Sequence, residues 1–217
     1  PFEISAIGNP TTLAEAIEAA KAGETVTLLE DVTINELIKI EKSITLDLNN
    51  NKVTATSKKA FEVYANATIT NGTIEAVNRC VDTRKAVELT LTNVTLIANE
   101  YTSAYGNPQP LTIGGSENVT KVTMNNVTIS ANAGYGIITF VETELTATNS
   151  TISGYNALYV KSGSEGSVFT FKNSDLSSST LGNDVEGNSF STIAVRANDV
   201  TVNVDRDSTI TASGNYS

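Results

Sequence analysis

Few side chains of this 217-residue sequence could act together as acid and base. No histidine is present, so neither a Ser–His nor a Cys–His nucleophile pair can form. The clearest acidic and basic combination on a predicted strand is Asp82 with Arg84, in the run RCVDTRKA. Because alternate residues of a strand face the same side, these two side chains would form an exposed ion pair that contributes little to stability. We therefore expect no enzyme activity and assign no catalytic residue.

Metal binding rests on a single run of oxygen-bearing side chains, between residues 183 and 188. The run holds two asparagines and two acidic residues, whose oxygens are of the kind that calcium prefers, although their spacing departs from the EF-hand pattern. A solvated turn is the simpler interpretation. Asp184 and Glu186 are therefore the calcium candidates, and no other cofactor is expected.

Tyrosine side chains could bind sugars, because the ring offers a flat apolar face and the hydroxyl can orient a ligand. Five tyrosines fall in or beside segments that the repeat described below brings to one region. As an alternative, tyrosines beside a glycine at a bend would cover the edge of the core, and those in loops would pack against their own loop. The ligand-contact candidates are Tyr101, Tyr105, Tyr135, Tyr155 and Tyr159.

The formal net charge is −10, from 14 Lys and Arg against 24 Asp and Glu. This balance argues against binding to nucleic-acid backbones and to anionic membranes, and a polyanionic sugar would need a bridging cation. We expect no nucleic-acid partner and no membrane insertion. The single cysteine, Cys80, excludes an internal disulfide and is expected to be a small apolar residue of the core.

These residues are positioned by a phrase that recurs through the chain: a short strand-like run, an asparagine, and then threonine and an aliphatic residue in most copies. Examples are ATITNGTIEA (67 to 76) and LTLTNVTLIA (89 to 98). Successive copies lie near 22 residues apart, and two of the steps are longer by about 11. Because apolar and hydroxyl residues alternate, each copy can bury its apolar side only by stacking on its neighbours. The pattern predicts an all-β parallel β-helix of about seven coils.

The recurring asparagine is predicted to form a ladder at one bend of each coil. Facing inward, each amide would bond to the next asparagine and to backbone groups of the bend. The same residues create four N-x-T sequons, and two more occur at Asn66 and Asn118. Because the ladder already explains four of the six, we do not expect glycosylation. The ladder residues are Asn50, Asn71, Asn93, Asn126, Asn149 and Asn173, with a degenerate copy at Asp207.

The Asn ladder, the coil length and the N-terminal segment NPTTLAEAIEAAKAGETVTLLEDVTIN (9 to 35) together resemble the right-handed parallel β-helix of the pectin-lyase-like superfamily. In that segment, Thr11 or Thr12 can cap a helix that runs to about Ala22 and stops at Gly23. The apolar face of the helix would cover the open end of the first coil. This face consists of Leu13, Ala16, Ile17 and Ala20.

The resemblance implies a fold and not an activity, because the superfamily mixes enzymes with non-catalytic surface modules. Its hydrolases need clustered aspartates with a histidine, and its lyases need acidic calcium ligands beside a base. This chain lacks both sets. We expect one domain, 1-217, with the cap helix and first strands in 1-35 and the repeated coils in 36-217, as part of a longer protein or assembly.

Two coils are lengthened at the same corner, by segments 97-110 and 177-190. Each segment follows the last strand of one coil and precedes the first strand of the next. The two segments are three coils apart, so their bases should lie about 14 Å from one another. This spacing predicts two ridges that flank a shallow trough, in which the candidate tyrosines would lie.

The expected function is a non-catalytic extracellular module of a bacterial cell surface, a scaffold or adhesin that contacts carbohydrate through this trough. Two alternatives remain open: a phage tail-spike or head-decoration β-helix on a virion surface, and a degenerate polysaccharide lyase. The last coil has no capping helix, so another protein chain is an expected partner there. Ice binding by threonine rows is set aside, because the threonines are not arranged as a regular T-x-T on one uninterrupted face.

Overall fold

The computed structural model describes residues 2–4, 11–98, 101–115, 118–178 and 191–212, with 2–4 and 132 described by their backbone alone. It confirms the all-β fold class, a parallel β-solenoid with one short helix near the N-terminus. The solenoid has about six turns, whereas the sequence predicts about seven coils. In the part of the chain that the structure describes, no helix is long and apolar enough to cross a membrane.

The helix α1 spans Leu13–Ala19 and begins with a capping box. Thr12 accepts a hydrogen bond from the Glu15 backbone N–H at 3.2 Å, and the Glu15 carboxylate accepts one from Thr12 N–H at 3.2 Å. The helix ends three residues earlier than expected, because Ala20 turns to an extended conformation while its side chain stays buried. The predicted apolar face is confirmed as buried: Leu13, Ala16, Ile17 and Ala20.

Short strands separated by tight bends make up the rest of the described chain. In chain order they are β1 (Phe2–Ile4), β2 (Thr25–Leu28), β3 (Val32–Ile34), β4 (Ile38–Ile40), β5 (Ile44–Asp47), β6 (Lys52–Ala55), β7 (Lys59–Val63), β8 (Ala67–Ala76), β9 (Arg79–Thr83), β10 (Glu88–Ile97), β11 (Leu111–Ile113), β12 (Thr120–Asn125), β13 (Thr128–Thr139), β14 (Thr143–Thr148), β15 (Thr151–Val160), β16 (Val168–Lys172), β17 (Asp175–Ser178), β18 (Ile193–Val195), β19 (Thr201–Val204) and β20 (Thr209–Ala212).

Parallel pairing between successive turns produces three faces, and the longer strands bend from one face to the next. Sheet A contains β4, β7, β9, β11, the second halves of β13 and β15, and β18. Sheet B contains β2, β5, the first halves of β8 and β10, and β12, β14, β16 and β19. Sheet C contains β3, β6, the second halves of β8 and β10, the first halves of β13 and β15, and β17 and β20. The strand β1 pairs antiparallel with β2.

The core is built from inward rows in which each side chain lies on its equivalent in the turn below. One such row on sheet B is fully buried through its first six members and ends at Val204, which is 37% exposed. The stacking keeps apolar surface continuous between turns, which is why no single turn would fold alone. The row runs Leu46, Ile69, Leu91, Met124, Ala147, Phe171 and Val204.

Candidate functional site

The Asn ladder lies at the bend between sheets B and C. Asn93 donates to Asn71 Oδ1 at 3.1 Å and accepts from Asn126 Nδ2 at 2.9 Å, and Asn173 donates to Asn149 Oδ1 at 2.7 Å. All six ladder residues have positive φ, between 46° and 61°. Asparagine tolerates this left-handed conformation better than other residues with a side chain. The ladder therefore turns the chain as well as linking the turns.

The expectation that the ladder faces inward is wrong. Asn71 is half-buried and the other five ladder side chains are exposed. The left-handed residue directs its side chain outward, and the residue that follows it takes the inward position, as Val94 and Val127 do. The amides therefore bond mainly to one another along the outside of the bend.

A second ladder, not anticipated from the sequence, lies on the inside of the same bend. Ser150 Oγ accepts from Val127 N–H at 3.2 Å, and Ser174 Oγ accepts from Ser150 N–H at 3.1 Å. Ser208 Oγ continues the series by accepting from Ser174 N–H at 2.9 Å. The signal was present in the sequence, since the residue after the ladder position changes from Val to Ser in the last copies. The serine hydroxyls accept hydrogen bonds from backbone N–H groups of the bend. A valine side chain has no acceptor, so with valine these N–H groups would need other partners.

The five candidate tyrosines do not form one surface. Tyr135 and Tyr159 are 5% and 2% exposed, and their ring centroids lie 4.9 Å apart. Together with Ile138 they form a small apolar cluster on the outer side of sheet A. Tyr155 is half-buried. Only Tyr101 and Tyr105 are exposed, at 47% and 41%.

Segment 101–110 lies at the corner between sheets C and A, as the repeat predicted. A turn from Thr102 to Gly106 is closed by a 2.7 Å hydrogen bond, and Gly106 has a φ of 73°, which glycine adopts without strain. Asn78, buried at its base, donates to the carbonyl of Asn107 at 2.9 Å and is within hydrogen-bond distance of two more carbonyls. Pro108 O accepts from Tyr135 N–H at 2.9 Å.

The predicted trough has a packed floor. Thr112, Ile138 and Tyr159 follow one another in the outward row of sheet A, yet each is only 2% exposed. Tyr135 and Tyr159 are therefore not available to stack on a sugar, because their rings are buried against each other, tilted by 52°. The second segment falls largely outside the described residues, and Asp184 and Glu186 lie there too. Within the described ranges no group of three or more acidic, His or Cys side chains could hold a metal ion.

A compact charged cluster occupies the same outward row of sheet A, on the turns before Thr112. Glu62 and Asp82 are register partners on β7 and β9. Lys59 Nζ lies 2.6 Å from Glu62 Oε1 and 2.7 Å from Asp82 Oδ2, and Arg79 donates to Asp82 Oδ2 at 2.8 Å. Tyr64 OH donates to Glu62 Oε2 at 2.9 Å. The cluster joins β7 and β9 into one ionic network.

The expectation of an exposed Asp82–Arg84 pair is wrong. The Asp82 side chain is 1% exposed, and Arg84 Nη1 approaches it only to 3.9 Å. Lys59 from the preceding turn and Arg79 from the same strand cover the carboxylate, so they are its closest partners. Asp82 Oδ1 and Arg79 Nε are buried without a hydrogen-bond partner among the described residues.

The surroundings of Glu62 favour its ionised form. Burial alone would raise the pKa of Glu62, but the hydrogen bonds from Lys59 and Tyr64 and the charges of Lys59 and Arg84 outweigh it and lower the pKa below its usual range. A carboxylate held in this way is a poor proton shuttle near neutral pH, where a general acid or base needs a pKa close to the working pH. The ion pair between Lys59 and Asp82 instead links two adjacent turns.

No protein-family model, no curated protein and no solved structure matches the chain.

Proposed function

We propose that this protein is a non-catalytic module of a bacterial cell surface, built on a β-helix of the pectin-lyase-like kind, that contacts carbohydrate through segment 101–110. The observation that supports this best is the pair Tyr101 and Tyr105, which are exposed at 47% and 41% in a segment that is otherwise fastened to the scaffold. Exposed aromatic rings on a fixed support suit sugar rings, because stacking then costs little conformational entropy.

The support of the two rings is rigid at several points. Asn78 binds the carbonyl of Asn107, and Gln109 N–H donates to the Asn78 carbonyl at 2.7 Å. A Cβ on Gly134 would lie 1.9 Å from Pro108 O, so only glycine admits the segment this close to β13. Lys58 Nζ lies 5.3 Å from the centroid of the Tyr105 ring and holds it by a cation–π contact.

A non-catalytic role agrees with the charged cluster. Glu62 and Asp82 are each bound by a lysine or arginine at hydrogen-bond distance, and both are nearly buried. A substrate would have to displace these partners before it could meet either carboxylate. The cluster supports the proposal as a structural element of the scaffold that carries segment 101–110.

The proposal extends to a protein partner at the last described turn. Ile210 is 49% exposed although its register partner Leu176 is fully buried, and Val204 is exposed above buried Phe171. A chain that pairs its own strand with β20 would bury these side chains and satisfy the strand edge. Sedimentation of the wild type and of Ile210→Asp tests this: the proposal requires association that the substitution removes.

The carbohydrate proposal is tested by binding of the purified protein to a broad glycan array, with calcium and with chelator. A ligand found there should lose most of its affinity for Tyr101→Ala and for Tyr105→Ala. Phe140→Ala, which removes another exposed aromatic ring, is the matched control and should bind like the wild type. A blank array, or equal binding by all variants, would contradict the proposal, and a stable trimer in solution would favour the virion alternative.

A further inference from the structure

The first turn of the β-helix has one strand edge that no described strand or helix covers. The edge of β2 is paired antiparallel with β1, and α1 lies against β4. The strand β3 pairs with β6 on one side and with no described strand on the other. Sheet C therefore ends at this turn in open backbone groups, which can serve as a template for an added strand.

Thr33 provides the backbone groups that face the free edge. Ile34 O accepts a hydrogen bond from Thr56 N–H at 3.0 Å, so the backbone groups of Ile34 are directed toward β6 and its turn. Because successive residues of a strand direct their backbone groups to opposite sides, Thr33 directs its N–H and C=O away from β6. One donor and one acceptor are thus open to an extended chain.

The apolar row inside sheet C also begins with a side chain that is not fully covered. Val32 is half-buried, although its register partner Val53 is fully buried. A groove of about 380 Å³ lies beside Val32, between the start of α1 at residues 11–14 and residues 32–38. An apolar side chain from an added strand would continue the row into this groove, as each turn does for the turn before it.

The surroundings of the groove are acidic. Residues 22–38 include four acidic side chains and no lysine or arginine. Asp31 and Glu36, on either side of β3, are exposed. Lys52, which begins the next strand of sheet C, is already paired with Glu75. A second copy of this chain would bring the same negative charge to the edge, whereas a basic segment would neutralise it.

We propose that the free edge of β3 binds an extended basic peptide of a partner protein, which adds a strand to sheet C. Backbone hydrogen bonds to Thr33 hold the peptide, and its apolar side chains enter the groove. Its lysine or arginine side chains alternate with the apolar ones and face Asp31 and Glu36. The site lies at the opposite end of the β-helix from Ile210 and apart from segment 101–110, so it is independent of both surfaces in the proposed function.

The test measures the fluorescence anisotropy of a labelled peptide in which lysine and valine alternate over about ten residues, with a glutamate–valine peptide as the charge control. Thr33→Pro removes the N–H at the free edge and no bond to β6. Thr33→Val is its matched control, because it keeps the N–H and a branched side chain. We expect the lysine peptide to bind wild type and Thr33→Val alike, and to bind Thr33→Pro about tenfold more weakly.

Two double variants separate this site from a general attraction between lysine and an acidic protein. Asp31→Asn with Glu36→Gln should weaken binding. Glu144→Gln with Glu165→Gln removes the same charge from exposed positions on distant turns and should leave binding unchanged. The proposal is overturned if the wild type does not bind the lysine peptide, if it binds both peptides equally, if Thr33→Pro binds like the wild type, or if both charge variants lose equally.

Hydrogen exchange of the Thr33 amide in the wild type decides the matter even if Thr33→Pro does not fold. We expect fast exchange in the free protein and slower exchange once the lysine peptide is added. An amide that is already protected in the free protein would show that the edge is filled by this chain or by a second copy, and would overturn the proposal. Ile210→Asp should bind the peptide like the wild type, so this site and the partner surface at the last described turn can fail separately.

Discussion

Lys59 Nζ lies 2.7 Å from Asp82 Oδ2 on the next turn of the β-helix. The same ammonium lies 2.6 Å from Glu62 Oε1, so one cation is shared by two carboxylates that are register partners on adjacent turns. Without it, Asp82 would keep only Arg79 as a close partner, and two like charges would face each other in register. The position of Lys59 is therefore what permits an acidic pair on this face.

Replacing Lys59 with methionine should destabilise the protein, because it removes a charged hydrogen bond from each of two nearly buried carboxylates. We expect a loss of about 2 to 3 kcal/mol in the free energy of unfolding. Urea unfolding followed by circular dichroism measures it. Arg84→Met is the control, since Arg84 is 44% exposed and lies 3.8 to 3.9 Å from the same carboxylates. An equal loss in both variants would show that the cluster is held by charge in general and not by Lys59.

Glu62 should make stability depend on pH. Its pKa is lowered in the folded protein, although burial opposes this, because Lys59, Tyr64 and Arg84 favour the charged form. A group of this kind adds stability above its unfolded pKa of about 4.3, and that stability is lost as the pH falls through the folded pKa. We therefore expect Glu62→Gln to be less stable than the wild type at neutral pH and the difference to shrink in acid.

The measurement is urea unfolding of wild type and Glu62→Gln at neutral pH and near pH 3. Glu144→Gln provides a comparison, because Glu144 is exposed and lies 3.7 Å from Lys121. Its difference from the wild type should stay small at both pH values. A Glu62→Gln difference that does not change with pH would show that the carboxylate gains nothing from its partners.

The Asn ladder makes two contributions that can be separated at Asn93. Its φ of 54° would strain alanine but not glycine, and both replacements remove the bonds to Asn71 and Asn126. We expect Asn93→Ala to cost about 2 kcal/mol and Asn93→Gly about 1 kcal/mol in the free energy of unfolding. Equal losses would mean that the side-chain bonds matter and the backbone conformation does not.

Replacing a serine of the inner ladder should lower the stability of the protein, whereas replacing a surface serine should not. Ser150 Oγ accepts from Val127 N–H and donates to the Thr148 carbonyl at 2.9 Å. Ser150→Ala leaves the buried Val127 N–H without this acceptor, so we expect a loss of about 1 to 3 kcal/mol. Ser153→Ala, at a half-buried position of β15, the strand that follows Ser150, should lose less. Thermal unfolding of the two variants makes the comparison.

Much of the fold could be predicted from the sequence, for a physical reason. A strand period of two and a repeated Asn place the same residue types at the same point of each turn, so local pattern and global stacking agree. The positions Asn71 to Asn173 and the corner that carries segment 101–110 followed from spacing alone. The end of α1 was misplaced, because the extended turn at Ala20 depends on packing against the first coil and not on a local stop signal.

The incorrect predictions concern the direction in which side chains point and the residues that cover them. The spacing of residues along the sequence does not determine either. The ladder asparagines face out because a left-handed residue reverses the alternation of the strand. Tyr135 and Tyr159 are buried by each other, and Asp82 is covered by Lys59, from the turn before its own.

Cys80 allows the stability of the middle turns to be followed directly. Its side chain is fully buried, its thiol lies within hydrogen-bond distance of the carbonyls of Ile74 and Ile97 at 3.3 and 3.2 Å, and burial raises its pKa. We expect no reaction with Ellman's reagent in the native protein and complete reaction in urea, because only the thiolate reacts. Cys80→Ala combined with Thr128→Cys moves the thiol to an exposed site and should react at once. If the native wild type reacts as fast as this control, the stack opens at its centre. If it reacts only as fast as it unfolds, the turns open together and the β-helix behaves as one cooperative unit.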